Sequence, residues 1–191
     1  MRSRKGRRGL GARQYLNACL AGLLVGDLVL EGRAALQPKD TVVTLAGTAA
    51  APGTLAGAAQ VVADKGPKIK AILSGMDRGL RRHLGLGTWD AVVAALPGET
   101  RRDAVIAGLR AAAEADDELD PRTALLLSMM GPAKLLEVVA PERGPARRHA
   151  RNRIDHGPDG TPFGSIARTV RKIIAEDQAA SAAATIVVVS G

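Results

Sequence analysis

The stretch that most constrains this chain is Asn17-Ala-Cys-Leu-Ala-Gly-Leu-Leu-Val-Gly-Asp-Leu-Val-Leu-Glu-Gly-Arg33. Leu16, Leu20, Leu23, Leu24, Asp27/Leu28 and Glu31 recur at steps of three and four, the spacing of one buried helical face. The apolar run is about 15 residues, short of the ~20 that span a bilayer. Asn17 and Asp27 sit within this helix, and Gly32 stands where a helix takes its terminal glycine. Arg33-Ala-Ala-Leu-Gln, the turn Pro38-Lys-Asp and Thr41-Val-Val-Thr-Leu then predict two short strands around a tight turn. A core helix running into a small hairpin organises the fold. It contains no catalytic group.

Everything else must pack on that helix almost without aromatic rings. Apolar residues make up 46% of the 191 but aromatics only 2%, so the core is Leu, Val, Ile and many alanines. Small side chains let helices approach closely, which predicts a mainly α, single-domain helical bundle with the small β-hairpin after the first core helix. A chain of this length suits one domain that buries about 70% of its unfolded surface.

Punctuation divides the rest. Residues 1–13 form a basic, glycine-containing tail, expected to be flexible, and 14–191 the helical domain. Thr54 is placed to cap a helix running to about 64. Lys65-Gly66 breaks it, and Pro67 opens a helix to about 83 with Ile69, Ile72, Leu73, Met76 and Leu80 inward. Its other side shows Lys68, Lys70, Asp77, Arg78, Arg81 and Arg82. After Gly85-Leu-Gly87, helices are predicted over 88–96 and 99–114, the latter with Val105, Ile106 and Leu109 inward. Asp120-Pro121 is the best start signal, an acceptor cap before proline at the first helical position. Further helices are expected over 122–130, 133–139, part of 141–153 and 165–184, with the β-branched run 185–189 docked at the end.

The formal net charge of +8 points to an anionic partner: nucleic acid, an acidic protein or a membrane surface. Tyr15, Trp89 and Phe163 are single and scattered, which speaks against a base-stacking platform for single strands. Cys19 has no second cysteine to pair with, so a reducing compartment and a buried apolar role are expected. Basic residues before the apolar run mimic a signal peptide. Asp27 and Glu31 interrupt that run and no cleavage site follows cleanly, which favours a cytoplasmic protein.

Two arginine groups stand out. Arg78, Arg81 and Arg82 share one helical face, where guanidinium forks would suit phosphate oxygens; the plainer account is a solvated polar face. Arg143, Arg147, Arg148, Arg151 and Arg153 form the densest basic block, suited equally to an anionic bilayer, to nucleic-acid phosphates or to plain exposure. His83, His149 and His156 lack metal-ligand spacing, and Asp116-Asp117-Glu118 does not alternate as calcium ligands do. No phosphate loop, nucleophile elbow or carboxylate pair is present, so no catalytic residue, metal or cofactor is assigned.

Three segments in order carry a resemblance. Cys19-Leu-Ala-Gly-Leu-Leu-Val-Gly-Asp-Leu-Val-Leu-Glu-Gly-Arg33 is similar to the first core helix of the Golgi phosphoprotein 3 family, a leucine-rich helix that passes into a hairpin. Asp120-Pro-Arg-Thr-Ala-Leu-Leu-Leu-Ser-Met129 resembles a later helix of its bacterial branch, and Ile166-Ala-Arg-Thr-Val-Arg-Lys-Ile-Ile-Ala175 with the alanines after it resembles the closing helix. The resemblance implies a helical bundle that lies on membranes and binds phosphatidylinositol 4-phosphate, with adaptor roles toward protein cargo in eukaryotic members. The family's pocket uses an aromatic and an arginine around the first helix and two arginines near the start of a later one. The first-helix arginine falls at Ala21, and the first turn of the helix containing Trp89 supplies none. Arg13, Tyr15, Arg78, Arg81 and Arg82 are the neighbours left to form such a pocket. The family's self-association hairpin is replaced by Pro97-Gly98-Glu99, which leaves the oligomeric state open.

The expectation is therefore a cytoplasmic protein peripheral to the inner face of a membrane. It would bind anionic phospholipid head groups through Arg13, Tyr15, Arg78, Arg81 and Arg82, with Arg143–Arg153 as a second basic patch. The alternatives are a basic nucleic-acid-associated protein and a protein-interaction adaptor.

Overall fold

The computed structural model describes residues 8–45, 53–95, 99–141, 143–156, 161 and 163–189, with backbone alone for 8–14, 93–95, 99–102, 181 and 183–189. In chain order the elements are α1 (Arg8–Leu30), β1 (Ala34–Gln37), β2 (Thr41–Thr44), α2 (Gly53–Lys65), α3 (Ile69–Leu84) and α4 (Thr88–Ala95). These are followed by α5 (Glu99–Glu114), α6 (Pro121–Met130), α7 (Leu136–Val139), α8 (Pro145–His156) and α9 (Gly164–Val189). The fold is mainly helical with one two-stranded hairpin after the first helix, the class expected from patterning.

α1 is the axis of the bundle, with α2, α3, α4, α6 and α9 packed against it. Cys19, Ala21, Leu24, Val25 and Leu28 are all buried, more of the circumference than a single apolar face would supply. Its glycines permit close approach: a Cβ at Gly22 would lie 2.9 Å from Val170 of α9, and one at Gly26 would meet Leu125 of α6. The hairpin pairs Ala34 with Thr44 and Gln37 with Thr41. Its turn is sharp because Lys39 and Asp40 both adopt left-handed φ, 63° and 53°. The Val42 N–H donates to Pro67 O at 2.6 Å and the Ile69 N–H to Asp40 O at 3.1 Å, which fastens the hairpin to the start of α3.

Among the described residues the buried side chains form two cores. The larger joins α1, the hairpin, α2, α3, α4, α6 and α9. The smaller gathers Leu109, Ala113, Leu127, Val139, Ala140, Ala150 and Ile154 from α5 to α8. α6 serves both, because the residues after its first turn are apolar on two sides: Leu125 and Met129 face the first and Leu127 the second. Asp120 caps α6, its Oδ1 accepting the N–H groups of Arg122 and Thr123 at 3.1 Å each.

Several local expectations need correction. α1 reaches back to Arg8, so residues 8–13 are helical rather than tail; residues 1–7 lie outside the described residues. Thr54 does not cap α2: it sits inside that helix and its hydroxyl donates to Ala91 O of α4 at 2.9 Å. Pro67 precedes α3 rather than opening it, its carbonyl being taken by the hairpin. Val105 is 50% exposed, because α5 rests on the small core only through the face that holds Leu109 and Ala113. The helix expected over 133–139 shrinks to α7, since Lys134 adopts φ 60° in the turn after α6. α9 stays helical through Val189, and the docking of side chains 185–189 lies outside the described residues. Among the described residues no helix is long and apolar enough to cross a membrane.

Candidate anion-binding surface

α8 begins at a glycine–proline step. Gly144 takes φ 118°, and Pro145 supplies the first helical residue, whose missing N–H costs nothing there. Ala150 and Ile154 are buried in the smaller core, and Arg147 and Arg151 flank that buried stripe at steps of three and four. With Arg148 and Gly144 they line a cavity of about 190 Å³. Arg147 and Arg151 also border a second cavity of about 360 Å³, shared with Gly131, Lys134, Leu136, Glu137, Ile154 and Asp155.

Positive charge dominates the smaller of the two. Arg147 Nη2 reaches Glu137 Oε1 at 3.2 Å, but that carboxylate is largely in water, where an ion pair contributes at most ~1 kcal/mol. Arg148, near the start of α8, and Arg151, at its middle, are both exposed. Lys134 holds its Nζ 5.1 Å from the centroid of the Tyr15 ring, a cation–π contact that places it between α1 and α8. Chemically this arrangement can hold a phosphate-sized anion.

The expected block divides. Arg147, Arg148 and Arg151 converge. Arg143 is exposed just before Gly144, and Arg153 turns away, its Nη2 donating to Asp117 O at 2.6 Å and so tying α8 to the acidic loop before α6. Lys134 and Gly144 were missed by sequence reasoning. Gly144-Pro145 is a legible helix start, whereas nothing local marks Lys134 as a neighbour of Tyr15 and α8.

The first-choice pocket is not assembled as expected. Arg13 lies on α1, with its side chain outside the described residues. Tyr15 packs on the main core and meets Lys134. Arg78, Arg81 and Arg82 are exposed on α3 and line none of the described cavities. Arg81 Nε donates to Asp77 Oδ2 at 3.1 Å, and its guanidinium lies over Gly87 so closely that a Cβ there would come within 2.6 Å of Nη2. Burial pushes the Asp77 carboxyl up, yet hydrogen bonds from Thr88 and Arg81 outweigh it and hold the group below its ordinary range.

α1 serves as a ruler for these clusters. Asn17 and Ala18 share a cavity of about 270 Å³ with Ser74, Asp77, Thr88 and Asp177, while Tyr15 meets Lys134. Two or three residues along a helix is a rise of roughly 3–5 Å. Both contacts therefore fall near the middle of α1, which runs from Arg8 to Leu30.

The remaining chemistry-bearing groups are quiet. Cys19 is buried, its Sγ donates to Met129 O at 3.8 Å, and burial pushes the thiol up to about 12. His83 Nε2 pairs with Asp64 Oδ2 at 2.9 Å, and His149 Nε2 stands 3.6 Å from Asp116. Among the described residues no three His, Cys, Asp or Glu side chains gather where a metal would sit. Compared with family models, with curated proteins and with solved structures, the chain matches none.

Proposed function

We propose that this protein is a non-catalytic, peripheral binder of anionic phospholipid head groups, acting at the inner face of a membrane. The observation that carries the reading is the convergence of Arg147, Arg148 and Arg151 with Gly144 on one cavity at the start of α8. Guanidinium forks match phosphate oxygens in pairs, and a head group bearing its own phosphomonoester offers more of them than a phosphodiester does. Near an anionic surface each arginine contributes ~1 kcal/mol, so the cluster would supply a few kcal/mol that salt weakens. One lipid site seldom anchors a protein firmly, and the exposed Arg78 and Arg82 of α3 would supply a second contact. Kinship with the Golgi phosphoprotein 3 family, proposed on the three ordered segments, leads to the same class of ligand.

Vesicle co-sedimentation tests the reading. The full chain should sediment with phosphatidylcholine vesicles carrying anionic lipid, and more strongly when part of that charge is a phosphoinositide at equal total charge. Equal binding at matched charge would remove head-group recognition and leave surface attraction. No sedimentation, together with tight duplex binding that falls steeply with salt, would replace the lipid by nucleic acid.

A further inference from the structure

We infer that the groove between α5 and α6 is a docking site for a basic, amphipathic helix of a partner protein. The groove shares no lining residue with the α8 cavity of about 190 Å³, and its role does not depend on lipid. Val105, Gly108, Ala112 and Ala115 recur at steps of three, four and three, the seam spacing of a helix that packs along another. α5 uses a different stripe for the smaller core, where Leu109 and Ala113 are buried. The seam itself stays open: Val105 is 50% exposed, and a Cβ at Gly108 would meet nothing within 4 Å.

The seam lines one side of a cavity of about 530 Å³, and Leu119, Thr123 and Leu126 line the other. From Val105 to Ala115 that side runs roughly 15 Å, about three helical turns. Glycine and alanine there let a second helix approach closely, with its own larger apolar side chains filling the space.

Charge selects the occupant. Asp117, Glu118 and Asp120 line the rim together with Arg122 and Arg153. Arg122 is already engaged, its Nη2 donating to Asp27 Oδ1 at 2.8 Å, and Glu31 also acts on it. Arg153 donates to the Asp117 carbonyl, so the carboxylates of Asp117, Glu118 and Glu114 keep no ion-pair partner among the described residues. Arg110 is drawn to α7, where its Nε donates to Val138 O. With Asp116 and the Glu31–Arg33 pair included, seven carboxylates stand against three guanidinium groups around the groove, an excess of four negative charges on a chain whose net charge is +8. Such a rim repels an anionic bilayer or a nucleic acid and attracts lysine and arginine.

Fluorescence anisotropy with the full chain and a labelled helical peptide tests the site. The probe carries leucine at the a and d positions of a heptad and lysine elsewhere. A scrambled peptide of the same composition keeps the charge and loses the apolar face. The heptad probe should bind about tenfold tighter than the scramble, and salt should weaken it. Gly108→Leu fills the groove from a position where a side chain meets no neighbour, and should weaken the probe about tenfold with the thermal midpoint held or raised. Asp117→Asn with Glu118→Gln leaves the Asp117 carbonyl bond in place, and should weaken the probe about fivefold and flatten its salt dependence. Absence of binding, equal binding of probe and scramble, or a Gly108→Leu variant that binds as the parent does would overturn the docking site. So would a parent that is dimeric in the ultracentrifuge and is dissociated by Gly108→Leu, because a second copy would then be the occupant.

Discussion

Asp77 on α3 joins two elements at once: its Oδ1 accepts the backbone N–H of Thr88 at 2.8 Å while its Oδ2 accepts Arg81 Nε at 3.1 Å. The carboxylate thus acts as the cap that α4 lacks in its own sequence, and it sets the direction in which Trp89 leaves the bundle. Asp77→Ala should destabilise the fold by ~1–2 kcal/mol, the range for a hydrogen bond to a charged group that is partly solvated. Free-protein tryptophan emission should change as well, because Trp89 begins the helix that loses its cap. A variant with unaltered emission and stability would show that α4 is held by Ala91 and Val92 packing alone.

The cap of α6 carries a pH signature. Hydrogen bonding from Thr123, side chain and backbone, lowers the Asp120 carboxyl below its ordinary value, with burial opposing weakly. A depressed folded value means the contribution is complete above the unfolded carboxylate pKa of about 3.9 and fades as pH falls through the lower folded value. Asp120→Ala should therefore cost ~1 kcal/mol at pH 7, and its deficit relative to the parent should narrow in acid below about pH 4. Asp120→Asn, which can still accept at the cap, should keep most of the stability. Denaturant midpoints of the three proteins across pH decide it; a deficit that does not change with pH would contradict the ionic cap.

How much of this was legible follows from what kind of force acts at each place. Local chemistry read well: the α1-to-hairpin passage, the Asp120-Pro121 start, and the face of α3 whose Ile69, Ile72, Leu73, Met76 and Leu80 are all buried. Val105 did not, since periodicity marks an apolar stripe but not how much partner surface waits for it. Arg153 looked like Arg151 in sequence, and only the long-range bond to Asp117 O separates a tether from a free cation. Lys134 became a neighbour of Tyr15 through the crossing of α1 with the turn after α6. No pattern within either segment encodes that contact.

Close packing of α2 on α3 makes opposite outcomes from the same substitution. A Cβ at Gly79 would run into the buried, β-branched Val61, whereas one at Gly108 on α5 meets nothing within 4 Å. Alanine gains up to ~1 kcal/mol of helix propensity at either site. At Gly79 the overpacking penalty of about 1–3 kcal/mol outweighs it, because Val61 has little rotamer freedom to yield. Gly79→Ala should lower the thermal midpoint and Gly108→Ala raise it. Equal shifts of either sign would mean the α2–α3 approach is looser than described.

Burial of Cys19 is a probe of global opening. With the thiol pushed up to about 12 and its Sγ directed at Met129 O, almost no thiolate exists at pH 8 in the native protein. Alkylation with iodoacetamide should be slow in buffer and fast in denaturant, its rate in between tracking the unfolded fraction. Rapid native labelling would show that α1 and α6 part locally without unfolding.

The division of the basic block gives the sharpest contrast. Arg148 and Arg151 face the cavity of about 190 Å³ and make no hydrogen bond among those described, so replacing them removes charge without removing structure. At ~1 kcal/mol each on an anionic surface, Arg148→Gln with Arg151→Gln should weaken vesicle binding roughly thirtyfold and flatten its salt dependence, with the thermal midpoint held. Arg153→Gln should behave the other way, losing the 2.6 Å bond to Asp117 O and ~1 kcal/mol of stability while vesicle affinity changes little. Side-by-side sedimentation and melting curves measure both. If Arg153→Gln instead weakened binding and the double variant did not, the α8 cavity would not be the lipid contact, and the acidic loop that Arg153 organises would take its place as the surface to examine.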